Sequence, residues 1–266
     1  MMTARGDHVV IEDGKHCLVK LAMVKYVLSG GEDAVPTTHL GIVREFLKER
    51  KDPLDIPECG FPFITISRQA GAGSHLLCDT LREDFRKQSS DLFRGWHVFD
   101  QLICEAVAQD PELSRSMEDF VREHYESEFQ DLMDTLIAGT SSSYLLCKKT
   151  FQVITMLAAI GKVIIVGRGA CCVTEPLGTG IHVRIVASEA QRIINTMKRL
   201  KVGRDEALKD MRERDSERRK LLKRFFNKDI DDPLLYDVVW NTDRVEMREI
   251  SAALIRLVEH RAGRSE

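Results

Sequence analysis

The stretch FITISRQAGAGSH, residues 63–75, joins an apolar, β-branched run to a glycine loop. Apolar residues then recur at helical spacing in LLCDTLREDF, residues 76–85. Gly71 and Gly73 allow the backbone to turn N–H groups toward an anion, and the new helix contributes its positive end. The pattern therefore predicts a phosphate site in an α/β protein. A glycine-rich turn without a ligand is the alternative that this stretch alone leaves open.

The loop lacks the lysine of the phosphate-binding pattern G-x-x-x-x-G-K-[ST]. Gly73 falls on the second glycine of that pattern, Arg68 on the first, Ser74 on the lysine and His75 on the Mg²⁺-binding hydroxyl. Arg68 could supply the missing positive charge from the other end of the loop. Sliding the frame by one residue offers the Ser74 hydroxyl to the metal but still no lysine, and the sequence fixes no metal-ligand set.

Short apolar runs alternate with longer helical patterns along the rest of the chain. After FITIS (63–67), the runs are WHVF (96–99), VIIVG (163–167), IHVRIVA (181–187) and YDVVW (236–240). Strands that are covered on both faces have this composition. The intervening segments are long enough for helical crossovers, so we expect an α/β fold with a doubly wound parallel sheet of about five strands. The stretch 111–160 is too long for one crossover helix and is predicted to form several.

Residues 1–58 have a different pattern from the rest of the chain. Two helical patterns there are followed by KDPLDIPECGFP, residues 51–62, whose three prolines are typical of a linker. We expect a small N-terminal helical appendage over 1–58 and one main domain over 59–266. The sequence assigns no chemistry to the appendage, which could serve as a surface for a protein partner.

The composition is that of an ordinary globular protein. Of 266 residues, 43% are hydrophobic and 30% are charged, with a formal net charge of -3. This balance gives no general attraction to polyanions, so a nucleic-acid partner is not expected. No apolar run approaches the ~18 residues of a membrane span, and the N-terminus lacks the apolar stretch of a secretory signal. We expect a cytoplasmic protein that does not enter a membrane, with seven reduced, scattered cysteines.

Three further stretches place chemically useful residues near the glycine loop. Arg168 follows the strand VIIVG and could form a bidentate pair with a phosphate, although a surface arginine is the alternative. Asp100 follows WHVF, where capping of a helix is the competing explanation. The helical segment 205–229 is rich in arginine and lysine, and Arg214 and Arg218 share one face of it. This segment is either a solvated charged face, with Asp215 paired to Arg219, or a cationic lid that closes over phosphates.

From residue 61 to about 258 the chain resembles the cytidylate kinase-like family, relatives of bacterial cytidylate kinase among the P-loop nucleoside monophosphate kinases. The resemblance is carried by ITISRQAGAGSH (64–75), VFDQLICEAVA (98–108), VIIVGRGACC (163–172) and RDSERRKLLKRFFNKDIDDPLLYDVVWNT (214–242). The last stretch is the most specific, because six of its residues are in register with the family pattern: Asp232, Pro233, Tyr236, Asp237, Asn241 and Thr242.

The resemblance implies a P-loop NTPase-type sheet with a helical lid. It also implies transfer of the γ-phosphate of ATP to a nucleoside monophosphate, with Mg²⁺. Backbone N–H groups would hold the ATP phosphates at Gly71, Ala72, Gly73, Ser74 and His75. Asp100 would face the acceptor nucleotide and Arg168 its phosphate, while Arg214, Asp215 and Arg218 would belong to the lid.

The chain departs from the family pattern at several functional positions. Gly169 stands where cytidylate kinases proper have the aspartate of Gly-Arg-Asp, and the tyrosines of the lid pattern are replaced by Leu221, Leu222, Phe225 and Phe226. Two hypotheses follow. The protein is a nucleotide phosphotransferase in which Arg68 and the lid arginines replace the lysine charge, or it is a nucleotide-binding regulatory module that has lost catalysis.

Overall fold

The computed structural model describes residues 41–43, 46, 61–111, 115 and 142–263. Most of the predicted appendage, and most of the stretch predicted to hold several helices before residue 160, lie outside the described residues. The five strands are β1 (Phe63–Arg68), β2 (His97–Phe99), β3 (Val163–Val166), β4 (Gly180–Val186) and β5 (Val238–Asn241). The α-helices whose bounds fall within the described residues are α1 (Ser74–Lys87), α2 (Gln101–Gln109), α3 (Ser142–Ile160), α4 (Ala170–Val173), α5 (Glu189–Leu200), α6 (Arg204–Phe226) and α7 (Met247–Ala262).

The strands form one parallel sheet in the order β2-β3-β1-β4-β5. β1 lies at the centre, where Ile64 pairs with Ile164 of β3 and Ile181 of β4. The chain leaves β1 toward one edge and later passes it to reach β4 on the other side, so the strand order reverses around β1. Ligands of open α/β sheets bind at the carboxyl ends of the strands beside such a reversal. The predicted five-stranded parallel α/β sheet is therefore confirmed, and its glycine loop lies at the expected edge.

Helices cover both faces of the sheet, which explains the continuous apolar runs of β1 and β3. On one face Ile64 and Ile66 pack with Leu81 of α1 and Leu254 of α7. On the other face Phe63 packs in a cluster that includes side chains of α2, α3 and α4. The sheet is doubly wound, as predicted.

Part of the predicted N-terminal region packs against the sheet domain. Val43 and Phe46 are fully buried. The ring of Phe46 makes edge contacts with Phe99, at 5.4 Å between centroids, and with His97, at 5.5 Å. These two residues therefore complete the core next to β2, whereas the division of the chain near residue 58 stays a prediction.

The last strand begins later than its sequence predicts. YDVVW was expected to be a strand from Tyr236, but the 3₁₀ turn Pro233–Leu235 extends to that residue, where the Tyr236 N–H donates to the Pro233 carbonyl at 3.1 Å. Asp232 starts this turn by accepting from the Leu234 N–H at 2.9 Å. The local turn therefore competes with the strand pattern.

Among the described residues, no helix has the length and apolar character needed to cross a membrane.

Candidate active site

The glycine loop is a tight turn between β1 and α1. Gly71 and Gly73 have φ of +80° and +94°, which disfavour side chains. A Cβ at Gly71 would lie 2.5 Å from the Arg192 carbonyl oxygen, and one at Gly73 would lie 2.5 Å from the methyl of Met247. Gly71 is thus required by packing against the backbone of α5 as well as by its own conformation, whereas Gly73 is required by its backbone conformation, since the flexible end of Met247 can shift.

Three side chains fix the direction of the loop peptides. Arg192 Nε donates to the Ala70 carbonyl at 2.8 Å, Asn195 donates to Gly71 at 2.8 Å, and the Thr242 hydroxyl donates to Ala72 at 3.1 Å. Since a trans peptide places its N–H opposite its C=O, binding these carbonyls turns the next N–H groups to the other side of the loop.

Four amides of the loop and of the first turn of α1 have no hydrogen-bond acceptor among the described residues: Gly71, Gly73, Ser74 and His75. Ala72 is the exception, because its N–H donates to Gln69. Unpaired amides at the start of a 14-residue helix form an anion-binding surface. The predicted role of the loop amides is consistent with this geometry for four of the five residues.

Arg68, at the end of β1, is a half-buried cation without a partner among the described residues. It has no hydrogen bond or ion pair with any described residue, and its guanidinium lies against Gly167 in the turn after β3. The pKa of Arg68 is lowered from 12.5 to about 9, first by burial and then by the positive charges of Arg218 and Arg168, against the opposing effect of Cys78 and Asp100. A guanidinium held in this way favours the arrival of an anion.

A cavity of about 380 Å³ lies at the carboxyl ends of β1 and β3, beneath α6. We call it the cationic cavity, because its lining holds four arginines, Arg68, Arg168, Arg214 and Arg218, against three carboxylates, Asp210, Glu213 and Glu217. All four residues predicted to be catalytic are therefore brought together. Asp100, Asp215 and residues 71–75 are not among the lining residues of the cavity, although Gln101, next to Asp100, is.

Arg168 lies at the mouth of this cavity but already has an anionic partner. Its guanidinium forms an ion pair with Glu105 of α2, a residue that the sequence did not single out. Arg168 also has a positive φ of 53°, and its Nε is buried without a partner. The turn thus holds the arginine in a costly backbone conformation that aims it at α2 and the cavity.

Asp100 caps helix α2. Its carboxylate accepts from the Ile103 N–H at 3.1 Å, which is the capping role weighed as the alternative from the sequence. The charge of Asp100 also acts on Arg68 and His75. Burial lowers the pKa of His75, and the positive charges of Arg199 and Arg68 lower it further, so this imidazole is neutral near pH 7.

Helix α6, which carries the predicted lid residues, is attached to the glycine loop through Asp215. This carboxylate accepts from the Ala70 N–H at 2.8 Å, from Arg218 at 3.1 Å and from Arg192 of α5 at 2.5 Å. The predicted pair between Asp215 and Arg219 is wrong. Arg219 turns away to Asp231, at 3.2 Å, because the loop and α5 occupy the other side of Asp215. Arg214 pairs with Asp210 one turn back, at 2.8 Å.

Comparison with known proteins agrees with this geometry. The model of the cytidylate kinase-like family matches residues 63–244, which hold the sheet, the glycine loop and the lid helix. The chain belongs to the cytidylate kinase-like family. No curated protein matches it.

Two solved structures are similar to this cytidylate kinase-like chain, and the first of them shows the same fold. A crystal structure of an uncharacterized protein from Eubacterium ventriosum ATCC 27560 superimposes with a TM-score of 0.58 at 18% identity, covering 75% of this chain and 98% of that one. The crystal structure of shikimate kinase from Bacteroides thetaiotaomicron gives a TM-score of 0.39 at 14% identity, covering 74% of this chain and 98% of that one.

The position of the missing aspartate in this cytidylate kinase-like chain is filled by an aromatic ring. A Cβ at Gly169 would lie 2.7 Å from a ring carbon of Phe226 and 3.3 Å from Leu221. Gly169 also has φ of +66°. The side chains of Phe226 and Leu221 thus occupy the space that a side chain at residue 169 would need.

A buried polar network beside the cavity was missed by sequence reasoning. Arg184 of β4 is only 4% exposed and donates to the Ser67 hydroxyl at 3.0 Å and to Asp231. The Tyr236 hydroxyl donates to the Ile230 carbonyl at 2.9 Å and contacts Ser67 at 3.1 Å. A charged residue within the strand run IHVRIVA was a signal that could have been used, because a buried arginine requires partners.

The described residues contain no cluster of three His, Cys, Asp or Glu side chains that would hold a metal on its own. Mg²⁺ in phosphoryl-transfer sites takes one or two protein oxygens together with substrate phosphates and water. Ser74, at the first position of α1, fits this requirement. Its residue is 9% exposed, and its hydroxyl makes no hydrogen bond with a described residue.

Proposed function

We propose that the protein is a nucleoside monophosphate kinase-like phosphotransferase that moves the γ-phosphate of ATP to a (d)CMP-like acceptor. The observation that carries this proposal is the half-buried guanidinium of Arg68, which lines the cationic cavity and has no partner among the described residues. A structural arginine would be paired, as Arg184 is. An arginine held without a counter-ion next to unpaired loop amides is suited to a ligand that brings negative charge.

Arg68 takes over the charge that the absent lysine would supply. It is the last residue of the strand that leads into the loop, its guanidinium lies against Gly167 in the turn after β3, and its charge acts on His75 of the loop. Transfer of a phosphoryl group requires positive charge around the moving oxygens more than it requires covalent chemistry. Arg214 and Arg218, on the lid side of the cavity, would add charge from the opposite wall.

The two substrates would meet at the carboxyl ends of β1 and β3. The triphosphate would bind the amides of Gly71, Gly73, Ser74 and His75, and the acceptor phosphate would bind Arg168 after displacing part of its ion pair with Glu105. Asp100 caps α2, so its contact with the acceptor would use the oxygen that is not bound to Ile103. Mg²⁺, when bound at Ser74, would supply further positive charge to the phosphates. No membrane and no nucleic acid enters this proposal.

A second candidate is a nucleotide-binding regulatory module without catalysis. Phe226 in the place of the Gly-Arg-Asp carboxylate favours it, since that aromatic ring fills space next to Arg168 with apolar atoms. In this case residues 1–58 would offer the surface for a protein partner, and the protein would be cytoplasmic.

Two measurements separate the candidates. Isothermal titration with ATP and with CMP, each with and without Mg²⁺, reports binding, and a coupled assay of ADP release with CMP, dCMP, UMP and AMP reports transfer. We expect saturable binding of ATP and turnover with a cytidine nucleotide. Binding without turnover for any acceptor would leave the regulatory module, and absence of binding would refute both candidates.

A further inference from the structure

The loop residue Ala70 has both of its backbone polar groups bound by charged side chains. Its N–H donates to Asp215 of α6 at 2.8 Å, and its carbonyl accepts from Arg192 of α5 at 2.8 Å. Arg192 and Asp215 are themselves paired at 2.5 Å. The three residues therefore form a closed ring of contacts that joins two helices to the start of the glycine loop.

We infer that Arg192 is a positioning residue that sets the direction of the phosphate-binding amides. The peptide that carries the Ala70 carbonyl also carries the Gly71 N–H on its opposite edge. Holding the carbonyl at Arg192 therefore points the Gly71 N–H, which has no acceptor among the described residues, toward the other side of the loop.

The composition of the loop makes such a device necessary. Gly71 and Gly73 both have positive φ, and glycine gives the backbone more freedom than any other residue. In an unsupported loop of this kind the amide N–H groups would point in many directions. The entropic cost of ordering them on binding would reduce the affinity for a ligand. Arg192 supplies the order in advance, with its side chain only 12% exposed.

Asp215 extends the same ring to the cationic cavity. The oxygen that accepts from Ala70 also accepts from Arg218 at 3.1 Å, and Arg218 lines the cavity. The orientation of one cavity arginine and the orientation of the loop therefore depend on the same carboxylate, which Arg192 holds in place. Loss of Arg192 is expected to disturb mainly the orientation of the loop, which Arg192 contacts directly, and to a smaller extent the orientation of Arg218, which it reaches only through Asp215.

The consequence for ligands rests on the proposed function, whereas the positioning of Ala70 does not. Hydrogen exchange of the Ala70 amide, followed by NMR, tests the positioning without nucleotide. We expect faster exchange of this amide in Arg192→Ala and in Arg192→Lys, because an ammonium has one nitrogen and cannot reproduce the two separate contacts of the guanidinium.

Isothermal titration then tests the consequence for ligand binding. ATP affinity is expected to fall about tenfold or more in both variants, while CMP affinity stays within about twofold.

Arg212→Ala is the matched control, because Arg212 also joins α6 to α5, through Glu189 at 3.8 Å, but contacts no loop atom. It should leave exchange and both affinities unchanged. If Arg192→Ala does not fold, Arg192→Lys gives the same readouts. Unchanged exchange at Ala70, equal losses for ATP and CMP, or full ATP affinity in Arg192→Lys would overturn the inference. A wild-type protein that binds no ATP would refute the proposed function instead, and the exchange result would still decide the role of Arg192.

Discussion

Replacement of Arg68 by methionine separates two effects of this arginine: the stability that it costs the protein without nucleotide, and the affinity for ATP that it is expected to supply. The pKa of Arg68 falls from 12.5 to about 9, and each pKa unit corresponds to about 1.4 kcal/mol, so keeping this guanidinium charged in the folded protein costs on the order of 5 kcal/mol. Methionine retains most of the apolar stem without the charge. Since apolar replacements of buried charged groups are often neutral or stabilising, we expect Arg68→Met to raise the free energy of unfolding by about 2 kcal/mol.

The sign of the effect on pH follows from the same shift. The folded protein binds the Arg68 proton less tightly than the unfolded chain, so the stability of the wild type should rise with pH above about 9, and this rise should be absent in Arg68→Met. At neutral pH Arg68 is charged in both the folded and the unfolded wild-type protein, so the full free-energy cost of holding its charge in the folded protein is present. For a domain of this size a gain of about 2 kcal/mol raises Tm by roughly 4 to 8 °C.

The assay is thermal unfolding without and with ATP. Without ATP the variant should be the more stable protein. With ATP the wild type should gain more, because loss of a charge-assisted contact of about 1.5 to 3 kcal/mol weakens nucleotide binding by about ten- to a hundredfold. Arg184→Met is the control, since Arg184 also lies in the sheet but is paired with Ser67 and Asp231, so that its replacement should lower stability. A lower Tm of Arg68→Met without ATP, together with an unchanged ATP-induced rise, would refute the reasoning.

Three further substitutions test other parts of the site. Gly169→Asp, which restores the family carboxylate, should lower the free energy of unfolding by about 1 to 3 kcal/mol because the new side chain meets Phe226, and chemical denaturation measures this; an unchanged midpoint would contradict the packing described here. Gly71→Ala should lower stability and ATP affinity together, because its Cβ would meet the Arg192 carbonyl at a positive φ; retention of both in a titration and a melting curve would show that the loop adapts. Arg168→Ala should raise the acceptor KM or abolish turnover in the coupled assay while ATP affinity is kept, and an unchanged rate would remove Arg168 from the site.

The sheet could be predicted from sequence because its signals are local. Four of the five predicted strands lie within one residue of the strands in the structure, and the glycine loop follows β1 as expected. Burial on both faces leaves a continuous apolar run, which a single sequence displays directly. The exception, β5, begins two residues later than predicted, since the turn at Asp232 and Pro233 holds Tyr236.

The contacts of the site could be predicted only in part, because they join residues that are far apart in the chain. Ala70 and Asp215 are 145 residues apart, and Arg168 and Glu105 are 63 apart. Helical spacing suggested Arg219 as the partner of Asp215, but it cannot indicate that α5 and the loop approach the same carboxylate. The four cavity arginines were found because strand ends and one helix face are visible in the sequence, whereas Arg192, Glu105 and Arg184 depend on tertiary packing.

The central claim is that a cationic cavity at the ends of β1 and β3 and the adjacent loop amides together bind a polyphosphate. A crystal structure of the protein with a non-hydrolysable ATP analogue and CMP tests it most directly. The account predicts phosphate oxygens within hydrogen-bond distance of the Gly73 and Ser74 amides and of the Arg68 guanidinium, with the acceptor phosphate at Arg168. Phosphates bound elsewhere on the surface, with Arg68 still unpartnered against Gly167, would contradict it.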